Sequence, residues 1–386
     1  MMYKANTLEQ NEKLRRQMLS MAESENWKYT ETITNESIAE FASDVRLQNV
    51  DTVYLIGHGT SLASARNGEF LLTRIAQVSA RAVPAYQFRS YSKDYLVQPE
   101  RTLVIGLSCS GNTESVVLGL KEAKRAGVLT MCVSGSGDIK TAAVSDFRVK
   151  AHTEVEKESG MSAYSVSHLF ILLGVLRVAL LLGERRGVLS GEDRCYWDQQ
   201  WEDMKKTLAV LPELYEKAGA LVDDYMQKQL HNLVVLGVGP NYGTAQEGAL
   251  KICEFAWLFD ACEELEDFAH GRFREVDGKI PLFILAPHQN SVRKVLDLLS
   301  GCEIAQTPAY IFTECEIPEA AQFASDMTPM PKIREECLTP FLYIFPLWFF
   351  GFHYRSRQQE LVGERRFGLL ATDINYDAYL KRHENK

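Results

Sequence analysis

Three hydroxyls and a glycine fall within one short run of this chain, Ser108-Cys109-Ser110-Gly111-Asn112-Thr113. Ser108, Ser110 and Thr113 can donate to phosphate oxygens, and Gly111 lets the backbone approach a ligand closely. Cys109 and Asn112 complete the loop as candidate contacts. The apolar run Leu103-Val104-Ile105-Gly106-Leu107 precedes it and helix-forming residues follow. The loop is therefore expected at the carboxyl end of a buried strand. Open α/β sheets bind ligands there, and a new helix offers unpaired N–H groups and partial positive charge. Ser61 follows a second apolar run, Thr52 to Ile56, and should point into the same crevice, with Gly59 beside it. Serine and threonine also cap helices, which is the competing structural reading. Four hydroxyls at two adjacent strand ends, with a glycine, favour an anion site.

A second set of residues could move protons. Lys251 and Glu254 stand at i and i+3, on one face of a helix. A carboxylate in a partly enclosed pocket can act as a general base on a carbon-bound or hydroxyl proton. His270 titrates near neutral pH and can move a proton on and off an oxygen. Alone, a Lys-x-x-Glu pair usually marks a solvated helix face, and a His-Gly pair a turn.

Apolar strands alternate with helical segments from residue 49 onward, which implies a parallel sheet covered on both faces. Thr52–Ile56, Ala80–Ala85, Leu103–Leu107 and Val128–Val133 read as strands. The pattern restarts at Asn232-Leu233-Val234-Val235-Leu236-Gly237-Val238-Gly239. An offset of 180 carries Gly57, Gly59 and Gly68 onto Gly237, Gly239 and Gly248, and Val104-Ile105 onto Ile284-Leu285. This is an internal repeat, two copies of one α/β sandwich. On that offset Ser108-Cys109-Ser110 faces His288-Gln289-Asn290, so the second copy lacks the hydroxyl loop. The expected divisions are a helical segment 1–48, a first domain 49–185, a helical connector 186–230, a second domain 231–356 and a tail 357–386.

The chain has 386 residues, 46% apolar and 24% charged, with 51 acidic against 42 basic side chains and a net charge of −9. That balance argues against general nucleic-acid binding. Met1 to Arg16 carries charges throughout and lacks the apolar centre of a signal peptide. The runs His168–Gly183 and Phe341–Tyr354 are short for a bilayer and read as buried helices, so no membrane partner is expected. The eight cysteines form no CxxC pair and no zinc-like spacing with histidine. Reduced thiols in a cytoplasmic setting are expected, with no metal. Gly57-His58-Gly59 has two of the three glycines of a dinucleotide fingerprint, and the next strand lacks the acidic residue for ribose. No NAD or FAD cofactor is expected.

The tandem copies and the S-x-S-G-x-T loop resemble the sugar isomerase (SIS) superfamily. The similarity covers roughly residues 48–370. It resembles the isomerase half of glucosamine-6-phosphate synthase and the fructosamine-phosphate deglycases built on the same two-domain plan. The most specific segment is Glu247-Gly248-Ala249-Leu250-Lys251-Ile252-Cys253-Glu254, matching E-G-A-L-K-x-x-E, with His270-Gly271 sixteen residues beyond Glu254. The resemblance implies two tandem three-layer αβα sandwiches, SIS-like, with flavodoxin-like parallel sheets. It implies a cofactor-free enzyme acting on a phosphorylated sugar. Glu254 would be the acid/base, His270 would open the sugar ring, and Lys251 would lie near the substrate hydroxyls. Glu247, Ser159, Arg272 and Arg366 are further substrate-binding candidates.

In this family the histidine commonly comes from the neighbouring subunit, so a homodimer or higher homo-oligomer with shared active sites is implied. The sequence also departs from the family. The synthase's glutaminase domain is not expected in a chain that begins Met1-Met2 about fifty residues before its first strand. The family's tail lysine aligns with Leu370, which disfavours simple aldose–ketose isomerisation. His270-Gly271 is followed by Arg272-Phe273-Arg274 rather than proline. Those arginines could read the carboxylate of an Amadori compound. The expected reaction is cleavage of a 6-phosphorylated fructosamine to hexose 6-phosphate and free amine. The alternatives are amino-sugar-phosphate deamination, isomerisation, or a non-enzymatic phosphosugar sensor.

Overall fold

The computed structural model describes residues 8–135, 139–151 and 164–358. It holds two five-stranded sheets in which every paired strand is parallel. The first contains β1 (Thr52–Gly57), β2 (Ser79–Pro84), β3 (Thr102–Ser108), β4 (Leu129–Ser134) and β5 (Phe147–Lys150), in the order β2-β1-β3-β4-β5. The second contains β6 (Leu233–Gly237), β7 (Asp260–Glu264), β8 (Leu282–Leu285), β9 (Ala309–Thr313) and β10 (Asp326–Pro329), in the order β7-β6-β8-β9-β10. Both follow one plan, and it is the flavodoxin-like strand order. Strands β3, β4, β6, β8 and β9 are buried at every residue, as parallel strands covered on both faces must be.

The longer helices are α1 (Leu8–Ser20), α2 (Ser24–Ala39), α3 (Thr60–Leu71), α4 (Glu114–Arg125), α5 (Tyr164–Arg185), α6 (Gly191–Thr207), α7 (Leu211–Gln227), α8 (Asn241–Ala256), α9 (Gln289–Ala305) and α10 (Phe345–Gln358). Helix α5 is long and apolar enough to cross a membrane, yet 94% of its most apolar window is buried inside the fold. Helix α10 carries the aromatic run and is buried from Phe345 to Phe352. Pro346 falls in its first turn, where no N–H partner is needed, so the helix is not broken. Helix α2 closes the β5 edge: Thr34 Oγ1 donates to the Lys150 carbonyl at 2.8 Å, and Ser37 Oγ accepts from Lys150 N at 3.0 Å.

The strand ladders correct the repeat in one place. Tyr54 pairs with Arg81 and Val104, and its counterpart Val234 pairs with Ala261 and Leu282. The offset of 180 therefore holds through β1 and β2 but is 178 at β3. Val104 corresponds to Leu282, not Ile284. Ser108-Cys109-Ser110 corresponds to Ala286-Pro287-His288, not His288-Gln289-Asn290. The connection before β8 is two residues shorter than the one before β3. The second copy still lacks the counterparts of Ser108 and Ser110, but Ser291 stands at the place of Thr113.

The two halves meet along α3 and α8, which run antiparallel. Thr60, at the start of α3, lies 3.3 Å from Glu247 Oε1, and Phe70, near its end, lies against Gly239. The approach is very close at Gly243. A Cβ there would stand 1.7 Å from Asn67 Oδ1 and 2.6 Å from the Ala63 carbonyl. Asn67 Nδ2 donates to Thr244 Oγ1 at 3.1 Å beside it. Gly243→Ala must therefore push the helices apart. It should lower stability by about 1–3 kcal/mol, seen as a lower urea midpoint at unchanged slope. An unchanged midpoint would show that the contact is not this tight.

Candidate functional site

The hydroxyl loop stands where the sequence placed it, between β3 and α4. Gly111 has φ 67°, and a Cβ there would lie 2.6 Å from Ile139, so glycine is required on both counts. Ser108 is buried, and its Oγ lies 3.0 Å from Thr113 Oγ1. Thr113 is the N-cap residue of α4, yet its side chain makes no capping hydrogen bond. The capping reading therefore fails at the residue best placed to support it. Ser110 is exposed and accepts from Asn112 N at 3.2 Å, while Asn112 Oδ1 accepts from Lys140 N at 3.2 Å. Ser61, from the turn after β1, lies 3.8 Å from Cys109 Sγ. Gly59 in that turn has φ 51°, and Leu250 of α8 lies 3.6 Å from the position of its Cβ.

Helix α8 lays a row of charge across this crevice. Lys251 is 1% exposed, and its Nζ lies 2.7 Å from Glu254 Oε2 and 3.7 Å from Glu247 Oε1. Glu247 is fully buried, accepts from Thr60 Oγ1, and leaves Oε2 without a partner among the described residues. Glu254 remains 42% exposed at its side chain. Lys251 thus faces two carboxylates, one sealed and one partly exposed. Burial works to lower its pKa, but Glu247 and Glu254 outweigh burial and hold it above its ordinary value. The end of α8 is fixed next to Glu254: Trp257 adopts φ 55°, and the Arg355 guanidinium stacks 3.7 Å from its ring centroid.

Sequence reasoning missed His168. It begins the apolar run of α5, where periodicity marks only a core position. In the fold it is fully buried, with Nδ1 2.9 Å from Ser64 Oγ and Nε2 without a partner among the described residues. Burial, aided by the Lys251 cation, pushes its pKa down to about 3, so it stays neutral. Thr60 was also missed, since its hydroxyl acts only through Glu247 across the domain seam.

His270 is not brought to this site within one chain. Helix α8 starts beside the carboxyl end of β6 and runs back along the sheet. Glu254, thirteen residues after Asn241, lies about 20 Å from that end at 1.5 Å per residue. His270 follows the carboxyl end of β7 at Glu264, so it lies at the other end of the sheet. Its side chain is 73% exposed and lies 2.9 Å from Glu266 Oε1. Arg272 pairs with Glu263 of its own chain at 2.7 Å. Ser159, Arg366 and Leu370 lie outside the described residues.

Residues 46–179 match the SIS domain. The chain carries a SIS domain. That domain contains both the hydroxyl loop and the Ser61 turn. The chain is 26% identical over 335 residues to glutamine–fructose-6-phosphate aminotransferase (isomerizing) of Idiomarina loihiensis, covering 83% of this chain and 51% of that protein. It spans about half the length of the curated relatives it matches. Among solved structures, the C-terminal domain of glucosamine-fructose-6-phosphate aminotransferase from Francisella tularensis superimposes with a TM-score of 0.75 at 18% identity. That match covers 89% of this chain and 96% of the other. Tagatose-6-phosphate ketose/aldose isomerase from Escherichia coli gives 0.71 at 18% identity, covering 96% and 100%. These two share the fold.

The α8 cluster next to the SIS domain makes stability depend on pH. Burial lifts the Glu247 carboxyl from its ordinary 4.5 to about 7, with Lys251 opposing the rise. The native state holds this proton where the unfolded chain has released it, so stability falls as pH climbs from about 4.5 to about 7. Lys251→Met removes the opposing cation. It should cost about 3–5 kcal/mol at pH 8, where Glu247 must stay charged without its cation or take up a proton. The cost should be smaller at pH 5, where Glu247 carries its proton. Urea titrations at both pH values check this, and equal costs would show that the two residues are uncoupled.

Proposed function

We propose that this chain is a phosphosugar-processing enzyme that cleaves a 6-phosphorylated fructosamine to hexose 6-phosphate and a free amine. The observation that carries the reading is the pairing of a hydroxyl loop that caps no helix with a lysine-held carboxylate across the domain seam. Ser61, Ser108, Ser110 and Thr113 take the phosphate at the N-terminus of α4. The sugar then extends toward α8, where Glu254 is the one member of the charged row open to the crevice. The relatives' name joins a fructose 6-phosphate skeleton to an amino group, and a fructosamine 6-phosphate is a compound of that kind.

Glu254 takes the proton from C1 of the open-chain ketosamine as the C2 oxygen gains one, and returns its proton to C2 as the amine nitrogen releases its own. This gives the imine at C1, which water hydrolyses to aldehyde and amine. Lys251 donates to Glu254 and fixes its orientation. His270 carries the ring-opening proton and is supplied by a second copy of the chain, in keeping with its place at the far end of its own sheet. Arg272 stays beside His270 and pairs with Glu263.

An amine-release assay on fructosamine 6-phosphates, with glucosamine 6-phosphate and fructose 6-phosphate as comparators, tests the reaction. Amine should appear in step with hexose 6-phosphate. Glu254→Gln should lower kcat about a hundred- to ten-thousand-fold with sugar-phosphate binding retained, and Ser108→Ala should chiefly raise KM. Isomerisation of fructose 6-phosphate without amine release would replace the deglycase reading by an isomerase one. Binding without turnover of any of these would leave a sensor.

The shared site has its own test. Glu254→Gln and His270→Asn chains, each inactive alone, should regain a substantial part of wild-type activity when co-folded, because one of the two sites in the mixed dimer is intact. No recovery from a mixture shown to contain hetero-dimers would place His270 outside the site.

A further inference from the structure

The repeat creates a second crevice at the opposite end of the molecule, related to the first by the same approximate two-fold that relates α3 to α8. It is a cavity of about 600 Å³ at the carboxyl ends of β6 and β7. Its floor is the turn Val238-Gly239-Pro240, the counterpart of the Gly59 turn. Phe70 overhangs that turn as Leu250 overhangs Gly59, and the 180-residue offset relates this pair too. The same offset places Arg74 where the first crevice has Glu254. A cation replaces the base, so this crevice is built to hold a ligand rather than to abstract a proton.

Most of its charges are already spent. Arg74 pairs with Glu335 at 3.1 Å, and Glu335 also accepts from Tyr196 Oη at 2.6 Å. Lys294 pairs with Glu266 at 2.5 Å, and His288 lies 3.7 Å from Glu336. Three groups are left. Arg334 lies over the Tyr196 ring at 5.5 Å and has no ion-pair partner among the described residues. Glu264 accepts only the backbone N–H groups of Glu266 and Asp267, at 2.7 and 3.0 Å, with no cation beside it among the described residues. Ser291 lines the cavity at 5% exposure, and its hydroxyl has no partner among the described residues. Ser291 lies in the first turn of the seventeen-residue helix α9, whose N-cap residue His288 makes no side-chain cap. An unpaired guanidinium, an unpartnered buried hydroxyl and an uncapped helix start suit a small anionic group. An unpaired carboxylate on the same wall suits an ammonium.

We propose that this second crevice binds a free α-amino acid. Its carboxylate lies against Ser291, the start of α9 and Arg334. Its ammonium lies against Glu264, and its side chain lies over Phe70 and Pro240. A zwitterion pairs both leftover charges at once, the exposed Arg334 and the half-buried Glu264, whereas a plain anion or plain amine leaves one of them without a partner.

A thermal-shift screen of the full chain against the L-amino acids selects a binder, and calorimetry then measures it. The controls are the binder's decarboxylated amine, its deaminated acid and inorganic phosphate. The expected result is one molecule per chain, with each control bound tenfold or more weakly. Arg334→Gln and Glu264→Gln should each weaken binding tenfold or more, and Ser108→Ala should leave it unchanged. Ser291→Ala removes one oxygen and should weaken binding severalfold at unchanged Tm, which keeps the test decisive where a charge variant fails to fold. No binding of any L-amino acid at millimolar concentration overturns the proposal. So does binding lost in Glu254→Gln and kept in Arg334→Gln, which would place the ligand in the first crevice. Phosphate binding as tightly as the amino acid would also overturn it.

Discussion

The contact between α3 and α8 is the constraint on which the rest depends. Two helices can approach this closely only where one presents no side chain, and Gly243 supplies that place against Asn67 and the Ala63 carbonyl. Because the helices run antiparallel, each lays its far half across the other's sheet. The C-terminal half of α8 thereby covers the carboxyl ends of β1 and β3, and α3 covers the corresponding place in the second sheet. One packing decision generates both crevices and sets what lines each of them.

The first crevice carries a cost that hydrophobic packing alone would avoid. Lys251 and Glu247 are both sealed from water, and burying an ion pair recovers its desolvation only with good geometry. Here Glu247 gains one hydroxyl donor and keeps an oxygen without a partner among the described residues. Burial wins at Glu247 and lifts its carboxyl to about 7, while the two carboxylates win at Lys251 and keep it charged. The neutral His168 adds no third charge. What the arrangement secures is position: the lysine is pinned from below and hands a fixed, directed donor to Glu254 at the surface of the crevice.

Duplication explains why two similar crevices differ in chemistry. In the first, hydroxyls cluster on the loop after β3 and a carboxylate on the covering helix. In the second, the corresponding loop reads Ala286-Pro287-His288, and Arg74 stands in the π-helical turn Leu72–Ala76 that continues the covering helix. The backbone geometry that favours an anion is common to both, since it comes from strand ends and helix starts. The side chains decide whether a bound molecule is anchored for proton transfer or held by paired charges.

Much of this was readable from the residues themselves. The buried parallel strands show as continuous apolar runs, because a strand covered on both faces needs no polar alternation. The hydroxyl loop and the Lys251–Glu254 pair are local features, separated by few residues, and local spacing fixes their geometry. The repeat was legible through its glycines, though the two-residue shortening before β8 became visible only when hydrogen-bonded partners fixed the register. Tertiary structure alone decided the rest. It brought Glu247 to Thr60 across 187 residues and set a neutral histidine from an apolar helix beside them. It also placed His270 at the far end of the sheet from Glu254, because a helix returning along its sheet separates its two ends by its own length. Sequence spacing records how many residues lie between two groups, but the direction in which the intervening helix and strand carry them is settled only when they pack.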